Sequence, residues 1–481
     1  MSLRAVAAYS AAWPAIDRVT RLAVGAAIAV GASGVGILVT LYPSAVPLGA
    51  SAVGVGVLLV SPSARFAFVT FGGLVMLQGA DELDTGKSAY LVGFALCVAI
   101  SAGRLLTRRV RLPQGMRPVL LLSGCFAGYL TLVALVGVFQ DQPIVAMLRG
   151  VAPYGLFLAA PLLSLDAIGS TVHRHAWLAL VGLGSVATLV YVVHWITLRS
   201  LVTTDLAAVG VASPLAAGAL FAALSAMAAL PTGETGVATR AGCALLAGLT
   251  LGAMLATGSR SNIVLLVAPI GMLLVAGARR RSVAMRLGML LALAAGTTAM
   301  LFALLDSLSW FDSARLLDRL AGLVGGLDVA ADQSYIERAA QTQAAVAAIG
   351  AHPVFGSGLN GSIEFVRANG HFDQVAVIDS LLIVPFQTGV VGLAFFMLLL
   401  LAWTVWALRP GPPAALGVGR LTLAGLWVTV LVWCLLGSPI HDKGFSLVLV
   451  GAALLALPAA PAASRASPRE VSALSIRVGS T

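Results

Sequence analysis

Apolar blocks of about twenty residues recur along this chain from its first residues to its last, and that recurrence leaves little choice of fold. Blocks of bilayer-crossing length fall at roughly 22–41, 46–61, 66–80, 88–103, 118–139, 144–165, 176–196, 207–230, 240–257, 261–278, 287–305, 379–403, 420–437 and 445–460. The second and third are short enough to be re-entrant, which leaves about twelve to fourteen crossings. Hydrophobic residues make up 59% of the chain and charged residues 10%, which excludes a soluble globular protein. The expected fold is an all-α, polytopic transmembrane helical bundle. Cys97, Cys125, Cys243 and Cys434 all fall in apolar blocks without CxxC spacing, so buried free thiols are expected.

Charge orients the bundle. The net charge of +10 is scattered between apolar blocks and reads as a topology signal, with no nucleic-acid partner. With the N-terminus in the cytoplasm, 20 of the 29 Lys and Arg lie inside, including Arg104, Arg117, Arg174, Arg240, Arg279, Arg409 and Arg420. The organisation expected is a cytoplasmic N-terminus (1–21), an uncleaved first helix opening a membrane region (22–305), an extracytoplasmic loop (306–378), further spans (379–460) and a disordered cytoplasmic tail (461–481). No internal repeat or matched pair of broken helices is seen, which weighs against common transporter folds.

The loop at 306–378 is the long polar interval of the chain and holds 12 charged residues. Phe311–Leu323 has helical apolar spacing suited to a membrane surface. Ser334-x-x-Glu337 reads as a capping box opening a helix that Gly350 and Pro353 close. Phe355-Gly-Ser-Gly-Leu-Asn-Gly361 then reads as a turn.

Several residues could carry chemistry. Arg149, in Met147-Leu-Arg-Gly-Val-Ala-Pro-Tyr154, and Arg260, in Thr257-Gly-Ser-Arg-Ser-Asn262, sit on the expected outer side, against the positive-inside trend. Each either snorkels to headgroups or forms an anion site, where a guanidinium grips phosphate oxygens by paired hydrogen bonds. Asp379, at the mouth of the next span, and His371, in Asn-Gly-His-Phe-Asp373, are candidate bases; the alternatives are an interfacial cap and an ordinary loop histidine. Arg338, Arg367 and His441 are candidate substrate contacts, and His352 is expected to shape a helix exit. The acidic cluster Asp81-Glu-Leu-Asp84 is the alternative for a metal-dependent transferase. No Walker A loop, HExxH or GxSxG occurs.

Over roughly Gly252–Leu401 the chain resembles the O-antigen ligase and polymerase family of bacterial membrane proteins. The resemblance rests on Thr257-Gly-Ser-Arg-Ser, the long loop, its helix running into His352-Pro-Val-Phe-Gly-Ser-Gly358, and Gln387-Thr-Gly-Val-Val-Gly-Leu393 in the following span. It implies metal-independent, inverting glycosyl transfer without a cofactor, on the outer face of the bacterial plasma membrane. The donor implied is a polyprenyl-diphosphate-linked glycan and the acceptor another glycan or a glycolipid. Arg260 and Arg149 would hold the donor diphosphate and stabilise it as it leaves. Ligases of the family place a histidine, often followed by Asn or Ser, where this chain has Asp379-Ser380. That departure favours a polymerase-like role over ligase-type transfer and leaves Asp379 or His371 as base. A transporter or flippase of a lipid-linked substrate is the reading from another class; it predicts polar groups at mid-span, of which the apolar blocks hold few.

Overall fold

The structure, a computed structural model, describes residues 54–77, 85–107, 115–139, 142–176, 237–256, 333–359, 361–366, 372–375, 380–409, 418–437 and 443–457, with a few single positions between them. The chain divides into two compact units, 1–64 and 65–481. Described residues of the first include one short helix, Gly54–Val60.

Among the described residues the long apolar blocks are helical, because a helix satisfies its own backbone where no water can. Helix α1 (Pro62–Ala67) runs through a π-helical turn (Phe68–Gly72) into α2 (Gly73–Met76). Then follow α3 (Thr85–Thr107), α4 (Met116–Phe139), α5 (Ile144–Asp166) and the single turn α6 (Thr171–Arg174). Helices α7 (Val237–Ala256), α8 (Gln333–Ala351), α9 (Ile383–Leu408), α10 (Val418–Leu436) and α11 (Lys443–Ala456) complete the set. Among the described residues, α4, α5, α9 and the Gly86–Thr107 stretch of α3 are long and apolar enough to cross a membrane, and the protein is an all-α, polytopic helical one. Expected spans at 22–41, 207–230 and 261–278 lie wholly or almost wholly outside the described residues, as do the helix expected at Phe311–Leu323 and most of the span expected at 287–305.

Among the described helices, α5 packs against α3, α4 and α11. Over its most apolar window 56% of α5 is buried, against 22% for α3, so α5 is enclosed by protein where α3 faces outward. Phe126 of α4 meets Tyr154 of α5 edge-on, and Ser164 of α5 donates to the Val450 carbonyl of α11 at 3.0 Å. At the C-terminus of α5, Asp166 accepts from Arg65 Nη2 at 2.6 Å, Arg65 Nε at 2.8 Å and Ser101 at 3.1 Å, with Arg104 at 3.3 Å. Arg65 and Asp166 are only 1% and 4% exposed at their side chains. A charge so placed is sustained only by a partner, and here two guanidiniums share one carboxylate.

Two features of the polar interval differ from expectation. Helix α8 begins at Gln333, so Ser334 lies inside its first turn instead of capping it. A hairpin, β1 (Ile363–Val366) and β2 (Phe372–Val375), then pairs antiparallel with Ile363 opposite Val375 and Val366 opposite Phe372. The interval therefore holds a sheet element as well as helix. In β1, Ile363 and Phe365 are buried and Glu364 and Val366 exposed, so the strand has one inward face.

Candidate functional site

Helix α9 is broken near its start. Gly389 has φ 68° and ψ −176°, outside helical values and in a region that glycine alone enters cheaply. The break exposes main-chain groups, and the turn after α8 supplies their partners. Val390 N–H donates to the Pro353 carbonyl at 2.8 Å, and Ser357 N–H donates to the Phe386 carbonyl at 2.7 Å. Tyr129 of α4 donates to the Thr388 carbonyl at 2.7 Å and lies 3.3 Å from that of Val354, tying α4 to both segments. Gly356, at φ 71°, approaches the Phe386–Gly389 backbone so closely that a Cβ would meet the Gln387 carbonyl carbon at 2.6 Å. The glycines of His-Pro-x-x-Gly-x-Gly and Gln-Thr-Gly thus let two backbones meet.

The same turn reaches α5. A Cβ on Gly150 would collide with the Leu359 carbonyl, so only glycine permits this approach. Arg149 is the preceding residue and is exposed. One turn further along α5, Tyr154 donates to Gln387 Oε1 at 3.0 Å; Tyr154 is fully buried and Gln387 2% exposed. Gln142, just before α5, donates weakly from Nε2 to the Ser357 carbonyl at 3.5 Å. The turn is therefore seated among α4, α5 and the broken start of α9.

Between the turn and α4 lies a cavity of about 300 Å³, lined by Val133, Val136, Gly137, His352, Phe355 and Gly358 among others. Arg149 is not among its lining residues.

Of the residues singled out from sequence, Arg149 is exposed on α5 next in sequence to Gly150, and Arg338 is exposed on α8. Arg260, Arg367, His371, Asp379 and His441 lie outside the described residues, as do Asp81, Glu82 and Asp84. Next to Asp379, the Ser380 hydroxyl accepts from Leu382 N–H at 3.3 Å and turns the chain into α9. Among the described residues no group of three or more His, Cys, Asp or Glu is placed to hold a metal ion. Tyr129, Gly150, Tyr154 and Gln142 were not singled out from sequence for this site. Gly150, beside Arg149 and three residues before Pro153, was the available signal.

Residues 245–397 match the family model described as O-Antigen ligase. Over that third of its length the chain is similar to the O-antigen ligase family. No curated protein matches the chain. The matched segment contains α8, the turn, the hairpin and the broken start of α9, while Tyr129, Gly150 and Tyr154, which seat that turn, lie before it. Similarity to that family over this segment supports, for the chain, a membrane enzyme of polysaccharide assembly.

Proposed function

We propose that this protein transfers a glycan from a polyprenyl-diphosphate carrier to a sugar hydroxyl on the outer face of the membrane, as a polysaccharide polymerase does. The observation that supports the reading is the seating of the glycine-rich turn on Gly150, the residue that follows exposed Arg149 in α5. Arg149 and Arg260 bind the donor diphosphate by bidentate hydrogen bonds and stabilise the charge that grows as the anomeric carbon–oxygen bond breaks. Asp379 or His371 takes the proton of the attacking hydroxyl, and inversion at the anomeric carbon follows from direct attack. Arg338, Arg367 and His441 contact the glycan, and no metal takes part. The segment 306–378 is the extracytoplasmic loop that closes over the site, between membrane regions 22–305 and 379–460. Asp379-Ser380, standing where ligases carry histidine, favours a polymerase over transfer to a lipid acceptor.

The test is the carrier-linked glycan profile of the native host with Arg149→Lys and Arg260→Lys, since lysine keeps the charge and loses the paired hydrogen bonds. Single repeat units accumulating on the carrier, at normal protein levels, are expected. Long chains accumulating unattached on the carrier would instead identify ligase-type transfer. An unchanged profile would remove the diphosphate clamp.

A further inference from the structure

The cavity beside His352 has a lining unlike that of a lipid groove. Its walls combine the valines of α4 with an imidazole, an exposed aromatic ring and glycine backbone. Phe355 is 45% exposed, and its ring is stacked at 6.5 Å and 17° on Tyr129, which is itself anchored by its hydroxyl. A rigid ring with one open face offers a platform to the C–H face of a sugar, whereas an isoprenoid tail needs no hydrogen-bonding wall. Gln142 packs against the lining glycines Gly137 and Gly358 from behind, so its amide backs that wall without lining the cavity. The volume of about 300 Å³ is at the small end of ligand sites and suits a single sugar unit.

We propose that this cavity is a sugar subsite: one ring of the carrier-linked glycan stacks on Phe355 and hydrogen-bonds His352. The assignment rests on the glycosyl-transfer reading and adds where the glycan is gripped. His352 acts through its ring alone, since its carbonyl is already engaged by Gly356 N–H at 3.0 Å and is kept in any side-chain variant.

The experiment uses the full chain in lipid nanodiscs. Two probes are compared: polyprenyl-diphosphate-linked oligosaccharide extracted from cells lacking this protein, and the sugar-free polyprenyl diphosphate. His352→Ala and Phe355→Leu are each expected to weaken binding of the glycan-bearing carrier about tenfold, the loss of roughly one hydrogen bond or one ring contact. Binding of the sugar-free carrier is expected to stay unchanged. Phe355→Leu keeps an apolar side chain of similar reach, so a monodisperse Phe355→Leu sample separates recognition from folding. Equal weakening for both carriers would place the lipid or diphosphate in the cavity and overturn the subsite. No weakening for either would also overturn it. If the unaltered protein binds neither carrier, the glycosyl-transfer reading itself fails, and the subsite with it.

Discussion

The phenol of Tyr154 on α5 donates to the side-chain oxygen of Gln387 on α9, 3.0 Å away and out of reach of water. The bond joins a helix outside the O-antigen ligase match to the residue that precedes the break in α9. Tyr154→Phe removes the donor and strands the amide oxygen. The expected loss is about 1–3 kcal/mol, the cost of an unsatisfied buried acceptor. Thermal unfolding of the purified protein measures it, and an unaltered midpoint would mean that Gln387 finds another donor.

Gly389→Ala is expected to unseat the turn. The left-handed φ alone costs a non-glycine residue about 1–2 kcal/mol, and the new methyl would collide with the Val354 carbonyl. Gly242→Ala, a helical glycine with open space around it, is the matched control and should be neutral or slightly stabilising. Protease sensitivity near residue 355 and polymer length should both respond to the first and not to the second.

Asp166→Ala leaves Arg65 and Arg104 facing each other without their carboxylate. Removing one member of a buried ion cluster typically costs about 3–5 kcal/mol, so a sharp fall in folded, membrane-inserted protein is expected. Pairing Asp166→Leu with Arg65→Met removes the charge together with its partner and should recover much of the yield. Equal yields for the single and double variants would show that the cluster contributes little.

Arg149→Ala should separate activity from stability. Its side chain is exposed, so the unfolding midpoint should shift by no more than about 0.5 kcal/mol, as for other surface substitutions. Polymer synthesis, by contrast, should fall by at least tenfold if the guanidinium holds the donor diphosphate, a loss of about 1.4 kcal/mol or more.

Acid should loosen one end of the bundle through His173. Burial holds its pKa below the ordinary histidine value, and the Leu457 carbonyl offsets this only in part. Its Nδ1 accepts from Gly169 N–H at 3.1 Å, which requires that nitrogen to be unprotonated. The folded state therefore binds the proton less readily than the unfolded chain. This contribution to stability is complete above the unfolded pKa of about 6.5 and is lost as pH falls through the lower folded value. His173→Gln should flatten the stability profile in that window. A profile of the same slope would assign the acid response to another group.

Much of the helical frame was legible in hydropathy, because a block long enough to cross a bilayer has one way to satisfy its backbone. The expected blocks at 118–139 and 144–165 differ by no more than two residues at either end from α4 and α5. The hairpin was missed because four-residue strands carry a short signal, and Asn369-Gly370 was read as part of a histidine-bearing loop. The ion cluster was hidden for another reason: Arg65 and Asp166 are 101 residues apart, and each alone resembles a charge at the end of a span. At the site, the glycines of the turn were visible as turn formers. Their use as points of contact with α5 and α9 was not, since close approach depends on which helices lie alongside. Tyr129 and Phe355 meet by the stacking of their rings, which no linear spacing encodes.

The turn is held through its own main chain: the carbonyls of Pro353, Val354 and Ser357 and the amide of Ser357 make the bonds to α4, α9 and Gln142. Anchorage and recognition are consequently assigned to different atoms of one short segment. Side chains at 354 and 355 line the cavity and can be exchanged without cutting a single anchoring bond. A lineage, or an engineer, therefore has two positions at which to alter what the cavity accepts while the mount that presents them stays the same.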